Sequence, residues 1–281
     1  MNRTAAPEGL LELRFARAPT GRTELVRRVQ RFPLHLTTPL YLDPRRPDMA
    51  FVYVQNPTGG VFAGDRLATR ISAGSSTALH VTTTAATKIY RSEEGGARHL
   101  TVIDVGAGAY VEHLPEPLIP QAGSRYEQET VVELDDRARL VVAETVAPGR
   151  TARGERFQFD RLRLATTIRS RGVDVCREAV VLEPSRQRPA RRGMLGRYSY
   201  VGTLFAVAPS FDADELAQRL DAAVCEVGGT LGAAGVLPSD AGAFVRVLAE
   251  SSREVSYAMS EAWCAARELL LGQRPPARRR K

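Results

Sequence analysis

From Leu10 to about Val207, apolar and polar positions alternate in short runs rich in Val, Thr, Leu and Tyr, broken by Gly, Pro and Asp. That is the pattern of many β-strands, each with one buried face. Ala50–Gln55, Leu79–Thr84, His99–Asp104 and Arg139–Glu144 are the clearest of them, with turn signals at Asn56-Pro57-Thr58-Gly59 and Gly106-Ala107-Gly108 in between.

Beyond Val207 the period changes. Leu216, Leu220 and Val224 recur every fourth residue behind an Asp-rich start, which predicts a helix over Asp212 to Val224. A Gly-rich stretch, Gly228 to Gly242, leads to a short strand at Phe244–Leu248. Ser251-Ser252-Arg253-Glu254 has capping-box spacing and opens a second helix through Met259, Trp263 and Leu270 that stops at Gly272. Met259 and Trp263 read as core residues. There is no fixed-period repeat and no compositional linker before Gln273, so 1–272 is expected to be one domain and 273–281 a disordered basic tail. The class is mainly β, a large multi-stranded scaffold with a small helical C-terminal portion.

Composition narrows the partners. The formal charge of +7 is concentrated in Arg22 to Arg31, Arg186 to Arg197 and Arg274 to Lys281, without a helix-turn-helix, zinc-finger or aromatic RNA-binding signature, so nucleic acid is not expected. No apolar run is long enough for a membrane span and no signal peptide opens the chain, so no membrane is expected either. Cys176, Cys225 and Cys264 are an odd, scattered set with no Cys-x-x-Cys pair, which suits a reducing, cytoplasmic setting. Lys88 is the one lysine before the C-terminal residue in a chain otherwise using arginine, a choice that favours a compact cation at that position.

The candidate chemistry lies in two glycine-framed carboxylates. Asp65 ends Gly59-Gly60-Val61-Phe62-Ala63-Gly64-Asp65, and Glu155 ends Gly149-Arg150-Thr151-Ala152-Arg153-Gly154-Glu155. Glycines are kept where the chain turns with positive φ or where something approaches the backbone. Between the two blocks Thr82, Thr83 and Thr84 precede Lys88 and Tyr90, and they suggest a row of hydroxyls facing a wet interior. His35, His80, His99 and His113 are scattered, with no His-x-His or His-Glu-x-x-His pair, so a tight transition-metal site is not expected. There is no phosphate-binding glycine loop before Lys88 and no Gly-x-Ser-x-Gly elbow. A glycosidase-like pairing of Asp65 with Glu155 is the alternative, weakened by 6% aromatic residues and one Trp.

These residues carry a family likeness. Gln55-Asn56-Pro57-Thr58-Gly59-Gly60 with Gly64-Asp65, Thr82 to Arg91, Leu114-Pro115-Glu116-Pro117-Leu118-Ile119-Pro120, Gly149-Arg150 with Arg153-Gly154-Glu155, and Val245-Arg246-Val247-Leu248 occur in order over most of the chain. Together they resemble the UreD (UreH) type of urease accessory protein. Departures are Ala63-Gly64 where a second Gly-Gly is common, Thr84 where a Gln is common, and Gln121 in place of an aromatic. The resemblance implies a β scaffold in β-helical or superhelical layers and no catalysis. It also implies binding to apo-urease, and recruitment of a UreF-like protein and through it a UreG-like GTPase, for nickel insertion. A protein that hands nickel onward holds it weakly, which favours scattered oxygen donors. On this expectation no cofactor is tightly bound and Ni2+ is transient, met by Asp65 and Glu155 and by Thr82 to Thr84, with Lys88 and Arg150 balancing charge. Gly59, Gly60, Gly64, Tyr90 and Gly154 shape the turns.

Overall fold

The computed structural model describes residues 8–93 and 95–276, and in it the alternating segments become two facing sheets. The chain enters as an antiparallel hairpin, β1 (Gly9–Arg17) with β2 (Thr23–Arg31), and passes through the short β3 (His35–Leu36) to β4 (Ala50–Gln55). It then winds between the layers. β5 (Arg66–Ala73), β8 (Ala97–Val105), β11 (Arg125–Leu134) and β13 (Arg161–Ser170) join β1 in one sheet as parallel neighbours. β4, β6 (Ala78–Thr83), β9 (Tyr110–His113) and β12 (Arg139–Val146) form the parallel part of the other, where β7 (Thr87–Ile89) and β10 (Leu118–Pro120) add short rungs. The strands run parallel because each connection crosses to the opposite layer instead of returning beside its own strand. This is the β-helical layering that the resemblance implied.

The winding ends in an antiparallel β14 (Val173–Leu182), a helical turn α1 (Pro184–Gln187) and β15 (Tyr200–Val207), followed by α2 (Ala213–Cys225), β16 (Thr230–Val236), β17 (Gly242–Ala249) and α3 (Ser252–Leu271). Among the described residues the sheets have seven and ten strands. One core fills the space between them, with Leu11, Ile71, Ile103, Val132 and Leu140 at its centre. A second lies between the outer face of the ten-stranded sheet and the two long helices, where Leu216, Leu220, Val224, Met259 and Trp263 are buried as their spacing predicts. Asp212 caps α2 by accepting from Glu215 N–H at 3.0 Å, and Ser251 with Glu254 forms the capping box of α3.

The Gly-rich stretch contains a strand that alternation did not reveal. In β16 a Cβ at Gly232 would stand 2.8 Å from the Val224 side chain, so glycine here lets α2 lie directly on the sheet. An ionic cluster fastens α3 to the scaffold. Fully buried Arg267 donates to both carboxylate oxygens of Glu112, at 3.2 and 3.3 Å, and to Asp43 in the loop before β4. Glu112 also accepts from Tyr110 Oη at 2.6 Å and lies 2.6 Å from His80 Nδ1. Burial alone would raise its carboxyl pKa, and these partners bring it below the ordinary value.

Among the described residues no helix is long and apolar enough to cross a membrane. Of the basic tail, 277–281 lie outside the described residues, while Arg274 turns back to Glu268 at 3.1 Å.

Candidate functional site

Every passage from the ten-stranded to the seven-stranded sheet, after Gln55, Ile89, Pro120 and Val146, occurs at one end of the winding, and both glycine-framed carboxylates are found there. Asp65 closes its turn by accepting from Phe62 N–H at 2.8 Å. The Phe62 ring stacks on Tyr90, with centroids 4.6 Å apart, and Gly60 has no room for a Cβ between Lys88 and the Tyr90 ring. Gly59, Gly64 and Gly154 turn with positive φ. Glu155 is gripped by both arms of the Arg150 guanidinium and accepts from Ala122 N–H at 3.4 Å. The Arg150 hydrogen bonds hold its carboxyl below the usual carboxylate range. Arg150 in turn is within electrostatic reach of Tyr90, on which Phe62 stacks.

Each acid is therefore engaged in holding a turn. Lys88 shares this end, its side chain exposed and its carbonyl accepting from Val61 N–H at 2.8 Å. The three threonines are dispersed. Thr82 donates to the Leu114 carbonyl at 2.7 Å on the helix-covered face of its sheet. Thr83 donates to Ala85 O at 3.0 Å and accepts from Glu116 N–H at 2.9 Å, and Thr84 is exposed. Successive strand residues point to opposite faces, so consecutive threonines cannot form one row.

A row of hydroxyls does exist, built from one threonine per strand. Thr69 pairs in register with Thr101, Thr101 with Thr130, Thr130 with Thr166, and Thr166 with Glu178. All face the space between the sheets, as do the core residues two positions on, Ile71, Ile103, Val132 and Ile168. The neighbouring level carries His99 and Gln128, also in register. Glu144 and Thr203 pair across the opposite sheet, as do Thr203 and Arg246, and His113 is one strand over. The two sets meet: Gln128 Nε2 donates to Glu144 at 2.8 Å, Tyr126 Oη donates to Gln128 at 3.2 Å, and Thr69 Oγ1 is 3.0 Å from His99 Nε2. At the open seam Arg246 pairs with Glu178 and donates to Thr203 Oγ1 at 3.4 Å.

The electrostatics suit a loosely polar interior. Burial, reinforced by the charge of Glu178, pushes the Glu144 carboxyl up to about 7, so it changes charge near neutrality. Burial pushes both His99 and His113 down to about 4, which keeps the imidazoles neutral and able to donate a lone pair. His113 Nδ1 is buried without a hydrogen-bond partner. A cavity of about 20 Å3, room for one water, lies among His113, Gln128, Thr130, Glu144, Thr166 and Thr203. Among the described residues no three His, Cys, Asp or Glu side chains converge to hold a metal ion. The donors are strung out along a belt of hydroxyl, carboxylate and imidazole groups between the sheets.

Sequence reasoning missed Thr101, Thr130, Thr166, Glu144 and Glu178 because their row runs across strands. The available signal was a single inward-facing hydroxyl in the middle of each parallel strand.

Comparison with known proteins adds a consistent set of likenesses. The profile of the family described as UreD urease accessory protein matches residues 7–281. The chain is similar to the urease accessory protein UreD of Haloarcula marismortui, 38% identical over 97% of this chain and 90% of the relative, and to urease accessory protein UreD 2 of Streptomyces griseus subsp. griseus, 39% identical over 96% and 93%. The urease accessory protein UreD of Mycolicibacterium gilvum is 34% identical over 94% of this chain and 95% of its own length.

Proposed function

The chain belongs to the UreD family of urease accessory proteins, and on that premise we propose that it serves urease maturation as a non-catalytic scaffold through which nickel passes to apo-urease. The observation that carries this reading is the belt of Thr69, Thr101, Thr130, Thr166, Glu178, Glu144, His113 and His99 between the sheets. Nickel is a borderline divalent ion that accepts imidazole, carboxylate and hydroxyl donors, and all three occur along the belt. Glu144 supplies negative charge above neutrality, and the neutral histidines add nitrogen donors without repelling the ion.

In this reading the ion moves through Glu144, while Asp65 and Glu155 shape the end face and Thr82 to Thr84 are local hydrogen-bonding residues. Their expected role as transient ligands shifts to the interior set because each carboxylate already has a turn to hold. The same engagement counts against Asp65 and Glu155 as a hydrolytic acid/base pair. A UreF-like protein and a UreG-like GTPase complete the assembly, and GTP belongs to the GTPase since this chain has no phosphate loop. Cys176, Cys225 and Cys264 are joined in no disulfide, which suits work in the cytoplasm.

The test is co-expression of Glu144→Gln with urease and the other maturation proteins. The expected result is urease of normal amount with a severalfold lower nickel content, while the variant still co-purifies with its partners. Full nickel occupancy would remove Glu144 from the route.

A further inference from the structure

At the turn-rich end of the winding, three separate parts of the chain gather cations that no acid answers among the described residues. Arg153, Arg156, Arg188, Arg191, Arg192 and Lys88 are all exposed, and none takes part in an ion pair among the described residues. Neighbouring arginines differ in this respect: Arg150 is held by Glu155, Arg186 by Glu183 and Arg197 by Glu250. The loops form one surface. Arg156 donates to the Arg197 carbonyl at 3.1 Å, tying the Glu155 turn to the segment after α1, and Thr151 Oγ1 is 3.3 Å from Tyr200 Oη. Arg150 is within electrostatic reach of Tyr90, on whose ring Phe62, 44% exposed, is stacked. Met194 is exposed on the adjoining loop.

Uncompensated like charges repel one another and lower the stability of the free protein, so a surface that concentrates them has a use for the field. Arginine, aromatic residues and methionine are also the residue types enriched at protein interfaces, with a buried aromatic as anchor and charges at the rim. Here a stacked Phe62–Tyr90 pair stands at the edge of the cationic field. We propose that this end of the scaffold is a docking face for an acidic protein surface, with Phe62 entering an apolar recess on the partner and the unpaired arginines meeting carboxylates around it. A second copy of the chain would present like charge and is disfavoured. Nucleic acid is disfavoured as well: the two aromatic rings cover each other instead of offering open stacking faces.

The inference is independent of the nickel route, because it rests on surface charge and the proposed function rests on the interior. Arg153→Glu, Arg191→Glu and Arg192→Glu combined leave no carboxylate stranded, and far-UV circular dichroism and the melting temperature verify the fold. Purified apo-urease, the purified UreF-like protein and a single-stranded DNA 20-mer serve as probes. The expected result is at least a tenfold loss of affinity for one of the two proteins, with wild-type binding to it weakening as salt is raised, and a further loss for Phe62→Ala. Unchanged affinity for both proteins, or a loss confined to the DNA, would overturn the docking face. Co-expression with Glu144→Gln reads the interior route separately, so either idea can fail alone.

Discussion

Gln128 and Glu144, one from each sheet, are joined by a 2.8 Å hydrogen bond across the middle of the sandwich, where a purely structural core would place apolar side chains. A half-buried carboxyl held by a neutral amide has no compensating charge in direct contact, which is why desolvation raises its pKa to about 7.

This produces a pH signature. A folded-state pKa raised from 4.5 to about 7 means the folded protein holds the proton more tightly than the unfolded chain. Stability from this group is present below the unfolded value and is lost as pH rises through 7, by up to about 3 kcal/mol. Glu144→Gln keeps the shape and removes the titration. Urea melts at pH 5 and pH 8 are expected to show the variant gaining on the wild type at the higher pH; an equal difference at both would count against a buried, titrating Glu144.

The histidines carry the opposite sign. With folded pKa values near 4 against an ordinary 6.5, His99 and His113 stabilise the fold above 6.5, and that stability is lost as pH falls toward 4. Nitrogen-15 spectra at pH 5.5 are expected to show both rings neutral. Protonated rings at that pH would mean that water reaches them freely.

Arg267 is the only arginine or lysine in direct contact with Glu112 and Asp43 among the described residues. Arg267→Met is expected to cost about 3–5 kcal/mol, because two buried carboxylates lose their fork of donors. Chemical denaturation measures it, and a loss below about 1 kcal/mol would show that the cluster does not fasten α3.

Gly232→Val introduces a side chain where Val224 already stands, and overpacking of this kind costs about 1–3 kcal/mol. A melting temperature equal to the wild type would indicate that α2 is free to lift away.

The helical part was legible because its signals are local. Ser251 and Glu254 cap one helix, and Leu216, Leu220 and Val224 mark the buried face of the other, all within a few turns of chain. Strand positions were legible for the same reason. β16 was not, since its glycines answer to Val224 and Phe244, residues of other elements. The proposed site was the least legible. The run Thr82-Thr83-Thr84 is conspicuous on the page, yet alternation sends its side chains to different faces, whereas the hydroxyl row needs Thr69, Thr101, Thr130 and Thr166, each a full circuit of the winding from the next. Asp65 and Glu155 stood out through their glycines, which report turn geometry, and turns are what both acids hold together.

The most direct measurement is the rate at which radioactive nickel moves from the loaded UreG-like GTPase to apo-urease in a purified assembly containing Thr166→Leu, a side chain that fills the small cavity beside Glu144. With the assembly intact by size-exclusion chromatography, transfer is expected to fall at least tenfold relative to the wild type. Transfer at the wild-type rate through the plugged scaffold would contradict passage between the sheets.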